Sequence, residues 1–204
     1  SSVERDKFGR FLCGYYLGVI LFDENGKHLE EYDGLLSFGS IVSQIVKLDE
    51  QHFLVSSFVD GVWIISIEDD GSIAKPVRHE TPFRNVTSVL RDSRGEFWFG
   101  TGGQGLWKAT FDGKDFVFEK VESVNFEKEE LQKIHCVYED NQGDIWVGTQ
   151  NMGLLRCSSV KNSGSLHSVD VKFPIVDGTT FAEDEVGNLF VGADGHGVFQ
   201  MDEN

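Results

Sequence analysis

Asp92-Ser-Arg-Gly-Glu-Phe-Trp-Phe-Gly-Thr-Gly-Gly-Gln-Gly-Leu-Trp107 returns as Asp140-Asn-Gln-Gly-Asp-Ile-Trp-Val-Gly-Thr-Gln-Asn-Met-Gly-Leu-Leu155. It returns again as Asp184-Glu-Val-Gly-Asn-Leu-Phe-Val-Gly-Ala-Asp-Gly-His-Gly-Val-Phe199. Glycines recur at 95, 100 and 105, at 143, 148 and 153, and at 187, 192 and 197. An apolar triplet precedes each middle glycine. Two fainter copies lie upstream. Asp6-Lys-Phe-Gly-Arg-Phe-Leu-Cys-Gly14 keeps the first half and reaches Gly18 through a shorter spacer. His52-Phe-Leu-Val-Ser56 keeps the triplet, carries Ser56 in place of the middle glycine, and recovers Gly61. The anchors Gly14, Ser56, Gly100, Gly148 and Gly192 are therefore 42, 44, 48 and 44 residues apart. A repeat of that length built from short strands predicts a β-propeller.

Each repeat reads as a four-stranded antiparallel sheet. Inner strands are expected near residues 43–48, 86–91, 134–139 and 178–183. In the fourth copy a turn at Asp140–Gly143 leads to a second strand at Asp144–Thr149. A loop over 150–152, a third strand at Gly153–Cys157 and an outer strand near Leu166–Lys172 follow. Asp-x-x-Gly suits a tight turn, because the carboxylate bonds amides ahead of it and glycine accepts a positive φ. Calcium loops are the sharper reading of these aspartates, but each turn offers few carboxylates and lacks the EF-hand pattern. The triplets Phe97-Trp98-Phe99, Ile145-Trp146-Val147, Leu189-Phe190-Val191, Phe11-Leu12-Cys13 and Phe53-Leu54-Val55 do not alternate. Strands covered on both faces read this way, which places Trp98 and Trp146 in the core. Phe126–Ile134 is the one segment suited to a short helical turn.

Residues 1–204 thus form one all-β run of about 4.6 repeats. The first copy has only Ser1–Arg5 for its inner strand, and the last stops after its third. That is the expectation for a fragment of a longer chain with a larger propeller. The net charge of −16 argues against a nucleic-acid or anionic-membrane binder, which would cluster Lys and Arg. No apolar run approaches the roughly 18 residues that span a bilayer, and no signal peptide is read in these residues, so for an exported protein the expectation is a targeting segment already removed. Cys13, Cys136 and Cys157 form neither a disulfide framework nor a zinc motif and read as small apolar residues within strands. The six histidines show no ligand spacing, so neither a metal nor a cofactor is expected.

Gly95-Glu-Phe-Trp-Phe-Gly-Thr101 and Gly143-Asp-Ile-Trp-Val-Gly-Thr149 resemble the two-component regulator propeller repeat. Its core is G-x-(L/I)-W-(I/V/F)-G-T, followed by G-(L/I). Gly187-Asn-Leu-Phe-Val-Gly-Ala193 departs at the Trp and the Thr, and the first two copies depart further. The resemblance implies a hybrid two-component sensor kinase of the kind found in gut Bacteroidetes. In such proteins two seven-bladed propellers and an immunoglobulin-like domain are periplasmic. A membrane helix and cytoplasmic kinase and regulator domains follow, and the inputs are oligosaccharides. None of the signalling chemistry falls within these residues.

Three functional classes follow. A ligand-sensing segment would use the loops between second and third strands, with Tyr15, Tyr16, Phe58, Asp60, Gln104, Asn151, Asp194 and His196. Aromatic rings stack on sugar CH faces while amides and carboxylates bond hydroxyls. A glycan-active or lyase-type enzyme would need a pair of carboxylates across a pocket. Only Asp60 and Asp194 occupy those loops, and no nucleophile elbow is present, so no catalytic residue is expected. A scaffold would use the faces or edges to hold neighbouring blades, another domain or a dimer mate.

Overall fold

The structure, a computed structural model, describes residues 2–121, 133–150, 153–157, 167–168 and 178–201. Two compact units divide the chain, Ser1–Val86 and Thr87–Asn204. The first sheet contains β1 (Val3–Arg5), β2 (Phe11–Tyr15) and β3 (Gly18–Phe22). The second contains β4 (Val42–Lys47), β5 (His52–Ser57), β6 (Gly61–Ser66) and β7 (Val77–His79). Next come β8 (Val86–Arg91), β9 (Phe97–Thr101), β10 (Leu106–Phe111) and β11 (Phe116–Lys120). The fourth sheet is β12 (Ile134–Glu139), β13 (Ile145–Thr149), β14 (Leu154–Cys157) and β15 (His167–Ser168). The fifth is β16 (Gly178–Glu183), β17 (Leu189–Ala193) and β18 (Gly197–Met201). Strands pair in sequence order within every sheet, and the pairs are antiparallel where their register is defined. The four inner strands start within one residue of their expected positions. A register shift recurs near the start of three of them, at Val42/Gln44, Ile134/Cys136 and Gly178/Thr180.

The expected helical turn over 126–134 lies outside the described residues, except that Ile134 opens β12. The first sheet departs from the expected four strands. Its outer position is taken by residues 23–41, which carry a 3-10 turn at Glu30–Tyr32. Leu36 is fully buried there, with Leu29, Tyr32, Leu35 and Phe38 packed beside it against Leu12, Val19 and Leu21. Val19 N–H donates to the Leu36 carbonyl at 3.1 Å, replacing the missing ladder partner. Gly18 permits that approach. Its φ is +152°, and a Cβ there would sit 2.1 Å from the Leu36 oxygen.

The middle glycine of the frame is required by space rather than by dihedral. A Cβ on Gly14 would lie 2.6 Å from Val42 Cγ1, and one on Gly100 would lie 2.6 Å from Ile134 Cγ2. In each unit, then, the next sheet's inner strand rests on the second strand's glycine. Where Ser56 replaces it, the hydroxyl is buried and bonds within its own sheet, 2.8 Å from Ser43 Oγ.

All five residues of β9 and of β13 are buried, as the unbroken triplets predict. The same expectation fails for β2 and β17, which alternate buried and half-buried residues. β2 rests against the inner strand β4 of the next sheet, and Val191 of β17 packs with Leu154 of the preceding one, while Phe11, Cys13 and Phe190 remain half-buried.

Trp98 and Trp146 are 2% and 6% exposed at matching positions. Each indole N–H donates to the aspartate six residues earlier, Trp98 to Asp92 Oδ2 at 3.0 Å and Trp146 to Asp140 Oδ2 at 2.6 Å. A cation from the paired strand covers each ring, Lys108 at 5.4 Å and Arg156 at 5.2 Å. Changing either Trp to Ala should cost about 3–5 kcal/mol, read as a lower urea midpoint. An unchanged midpoint in both variants would remove these residues from the core.

Candidate functional site

Strand order gives each sheet two ends. The β2–β3 and β5–β6 loops leave one end of the first unit, as β9–β10, β13–β14 and β17–β18 do in the second. The Asp-x-x-Gly turns leave the other.

The loop end is organised by the residue that closes the second strand. Thr101 Oγ1 donates to the Gly105 carbonyl at 2.7 Å and accepts the Gln104 N–H at 2.9 Å. Thr149 Oγ1 donates to the Gly153 carbonyl at 2.9 Å, and Ser57 Oγ accepts the Asp60 N–H at 2.9 Å. The hydroxyl of the Gly-Thr pair thus fixes the loop that presents the candidate residues. Ala193 lacks it, and there His196 N–H reaches the Ala193 carbonyl directly at 3.1 Å.

In the first unit, Tyr15 ends β2 half-buried and Tyr16 is 69% exposed. Phe58 is 37% exposed. The segment 38–41 joins the two loops. The Leu17 carbonyl accepts Phe38 and Gly39 N–H at 2.8 and 2.9 Å, and the Ile41 carbonyl accepts Phe58 N–H at 3.1 Å. Tyr16, Leu17, Ile41, Phe58 and Val59 form an exposed apolar set around this strap, a composition that marks binding surfaces. Beside it Phe38 stacks on Trp63, with centroids 4.8 Å apart. Asp60 is half-buried, and its carbonyl accepts Arg78 Nε at 3.1 Å.

In the second unit, Gln104 is exposed and its carbonyl accepts Trp107 Nε1 at 3.1 Å. Asp194 and His196 are exposed on one loop, with His196 Nδ1 2.7 Å from the Asp194 carbonyl. Asn151 lies outside the described residues.

Sequence reasoning missed the turn end of the first unit. A cavity of about 550 Å³ opens there between the first two sheets. Phe8, Arg10 and Tyr32 form its wall, and Asp23, Glu24 and Asp70 line it from the turns after β3 and β6. One signal was available: Arg10 occupies the place held by Glu96, Asp144 and Asn188 in other repeats.

The cysteines are chemically quiet. Burial raises all three thiols, Cys136 to about 12. An unfolded thiol ionises near 8.5, so this group's contribution to stability is complete below that pH. It is lost as pH rises from about 8.5 toward 12. Iodoacetamide at pH 8 should leave Cys136 unlabelled in the folded chain and label it in urea. Rapid labelling of the folded chain, read by mass spectrometry, would contradict that burial.

Antiparallel meanders whose inner strands rest on the preceding sheet's central glycine make this chain a run of β-propeller blades. Residues 82–103 and 130–151 match the two-component regulator propeller. No curated protein sequence matches the chain. Among solved structures it is similar to the extracellular domain assigned to the hybrid two-component system BT3049 of B. thetaiotaomicron. The TM-score is 0.70 at 17% identity, over 96% of this chain and 26% of that one. The corresponding domain of BT4673 from the same organism gives 0.73 at 17% identity, over 97% and 25%. This chain therefore spans about a quarter of those domains. Virginiamycin B lyase of Staphylococcus aureus gives 0.64 at 12% identity, over 99% and 69%. All three likenesses are of fold, which sensors and an enzyme share. Among the described residues, no helix is long and apolar enough to cross a membrane.

Proposed function

We infer that this chain is a non-catalytic propeller segment in the periplasmic sensing region of a hybrid two-component protein, with a histidine kinase elsewhere in the parent. Its input is an oligosaccharide taken at the loop end. The observation that carries this reading is the pair of regulator-propeller repeats at residues 82–103 and 130–151. Fold similarity to extracellular domains of two-component systems supports it.

The chemistry of the first unit's loops supports the ligand class. Tyr16 and Phe58 offer exposed ring surface for sugar CH faces, and the strap at 38–41 supplies a floor held by backbone hydrogen bonds. Further blades and neighbouring domains are the partners, and contacts through them pass the signal on.

Calorimetric titration of the intact sensing region with an oligosaccharide panel tests the reading. A chain carrying Tyr16→Ala and Phe58→Ala should bind about tenfold more weakly, with an unchanged melting temperature. Wild-type affinity in that variant would place the ligand elsewhere.

A further inference from the structure

The 57–60 loop of the first unit is held from behind by atoms buried away from any ligand. Each of its three tip amides has a partner. Phe58 N–H donates to the Ile41 carbonyl at 3.1 Å, Val59 N–H to Ser40 Oγ at 3.3 Å and Asp60 N–H to Ser57 Oγ at 2.9 Å. The Asp60 carbonyl in turn accepts Arg78 Nε from β7. Ser40 and Ser57 are 3% and 0% exposed, whereas Phe58 and Val59 in front of them are 37% and 56% exposed. The loop thus turns its backbone inward and its apolar side chains outward. A tip without such anchors would leave its amides on water and open easily.

Two of those partners, Ser40 and Ile41, come from the strap, and the strap is itself pinned. Phe38 lies on Trp63 of β6, with ring centroids 4.8 Å apart and planes 12° apart. Phe38 and Gly39 N–H both donate to the carbonyl of Leu17, next to Tyr16 in the β2–β3 loop. Gly39 then turns the chain at φ +69°, a conformation that glycine adopts without strain. That turn sets Ser40 behind the loop tip. The strap therefore fixes the Phe58 loop against the loop that carries Tyr16, the two rings of the proposed site. Neither buried hydroxyl can touch a bound sugar. What each can change is the fraction of molecules whose loop already has this conformation, and apparent affinity scales with that fraction.

We propose, resting on the loop-end reading of the ligand site, that Ser40 and Ser57 are positioning residues of that site. Their hydroxyls hold the Phe58 loop in its binding conformation before a ligand arrives. Loss of a contact shows in the dissociation rate, as most interface changes do. Loss of a prepared conformation shows in the association rate instead.

The test joins stopped-flow binding of maltotriose, xylotriose and chitotriose to the intact sensing region with amide hydrogen exchange of the same protein without ligand. Ser40→Ala and Ser57→Ala should each weaken binding about fivefold, the worth of one hydrogen bond, through slower association at an unchanged dissociation rate. Exchange of the amides at 58–61 should speed up in both variants, while the turn at 92–95 exchanges as in the wild type. Phe58→Ala should instead raise the dissociation rate. Wild-type affinity and exchange in both serine variants overturn the proposal, as does a loss carried wholly by faster dissociation. Val59 and Asp60 amides that exchange at the rate of an unfolded peptide in the unmodified protein also overturn it, a result that needs no variant to fold. If no trisaccharide binds, the oligosaccharide reading fails, and the exchange result alone decides for or against the two serines.

Discussion

One aspartate per blade holds three things at once. Asp92 Oδ1 accepts the N–H groups of Arg94 and Glu96, at 3.0 and 2.9 Å, while Oδ2 accepts the buried indole N–H of Trp98. Asp140 repeats this with Gln142, Asp144 and Trp146. The same carboxylate therefore shapes the hairpin turn and satisfies the polar atom of the largest core side chain. An indole N–H buried in a doubly covered strand is costly without a partner, and the turn supplies one. Asp184 and Asp6 keep the turn and change the cargo, and Asp49 does so in a turn one residue shorter. Asp184 takes the Asn188 side chain at 2.7 Å, Asp49 takes His52 at 2.9 Å, and Asp6 takes Arg10. That exchange in the first blade is what brings a guanidinium into the cavity wall.

Sheet-to-sheet contacts follow from the same turns. Glu139 accepts both Ser93 N–H and Oγ–H, at 2.7 and 2.6 Å, on the turn of the preceding blade. Glu183 accepts Asn141 N–H at 3.1 Å in the equivalent place. Hydroxyls tie neighbouring inner strands together: Thr87 Oγ1 donates to the Ile134 carbonyl, and Ser2 Oγ bonds both backbone groups of Ile45. With the glycine seats at 14 and 100, these fix the spacing of neighbouring sheets within each unit. The loops are then free to vary, and the Thr101-type hydroxyls set their shape without dictating their residues.

Much of this was legible in the chain. The glycine spacing and the unbroken triplets located the blades, the inner strands and the buried tryptophans. The Asp–Trp pairing was not legible, because Asp184 keeps its place in the blade where Phe190 stands for the tryptophan. What changes with the tryptophan is the acid at 96 and 144 and the cation at 108 and 156, replaced there by Asn188 and Gln200. The fate of residues 23–41 was not legible. Whether Leu36 or an outer strand covers Val19 depends on packing against β3, which no local pattern encodes. The cavity was hidden for a similar reason. Phe8, Tyr32 and Asp70 come from three different turns, and only the stacking of the first two sheets brings them together.

The claim that the turn aspartate and the core tryptophan act as one device is tested most directly by a double-mutant cycle. Asp92→Ala, Trp98→Phe and the double variant would be compared by urea unfolding. The account predicts a coupling energy of about 1–3 kcal/mol, because each single change strands the other partner's polar group. Strictly additive losses would contradict it.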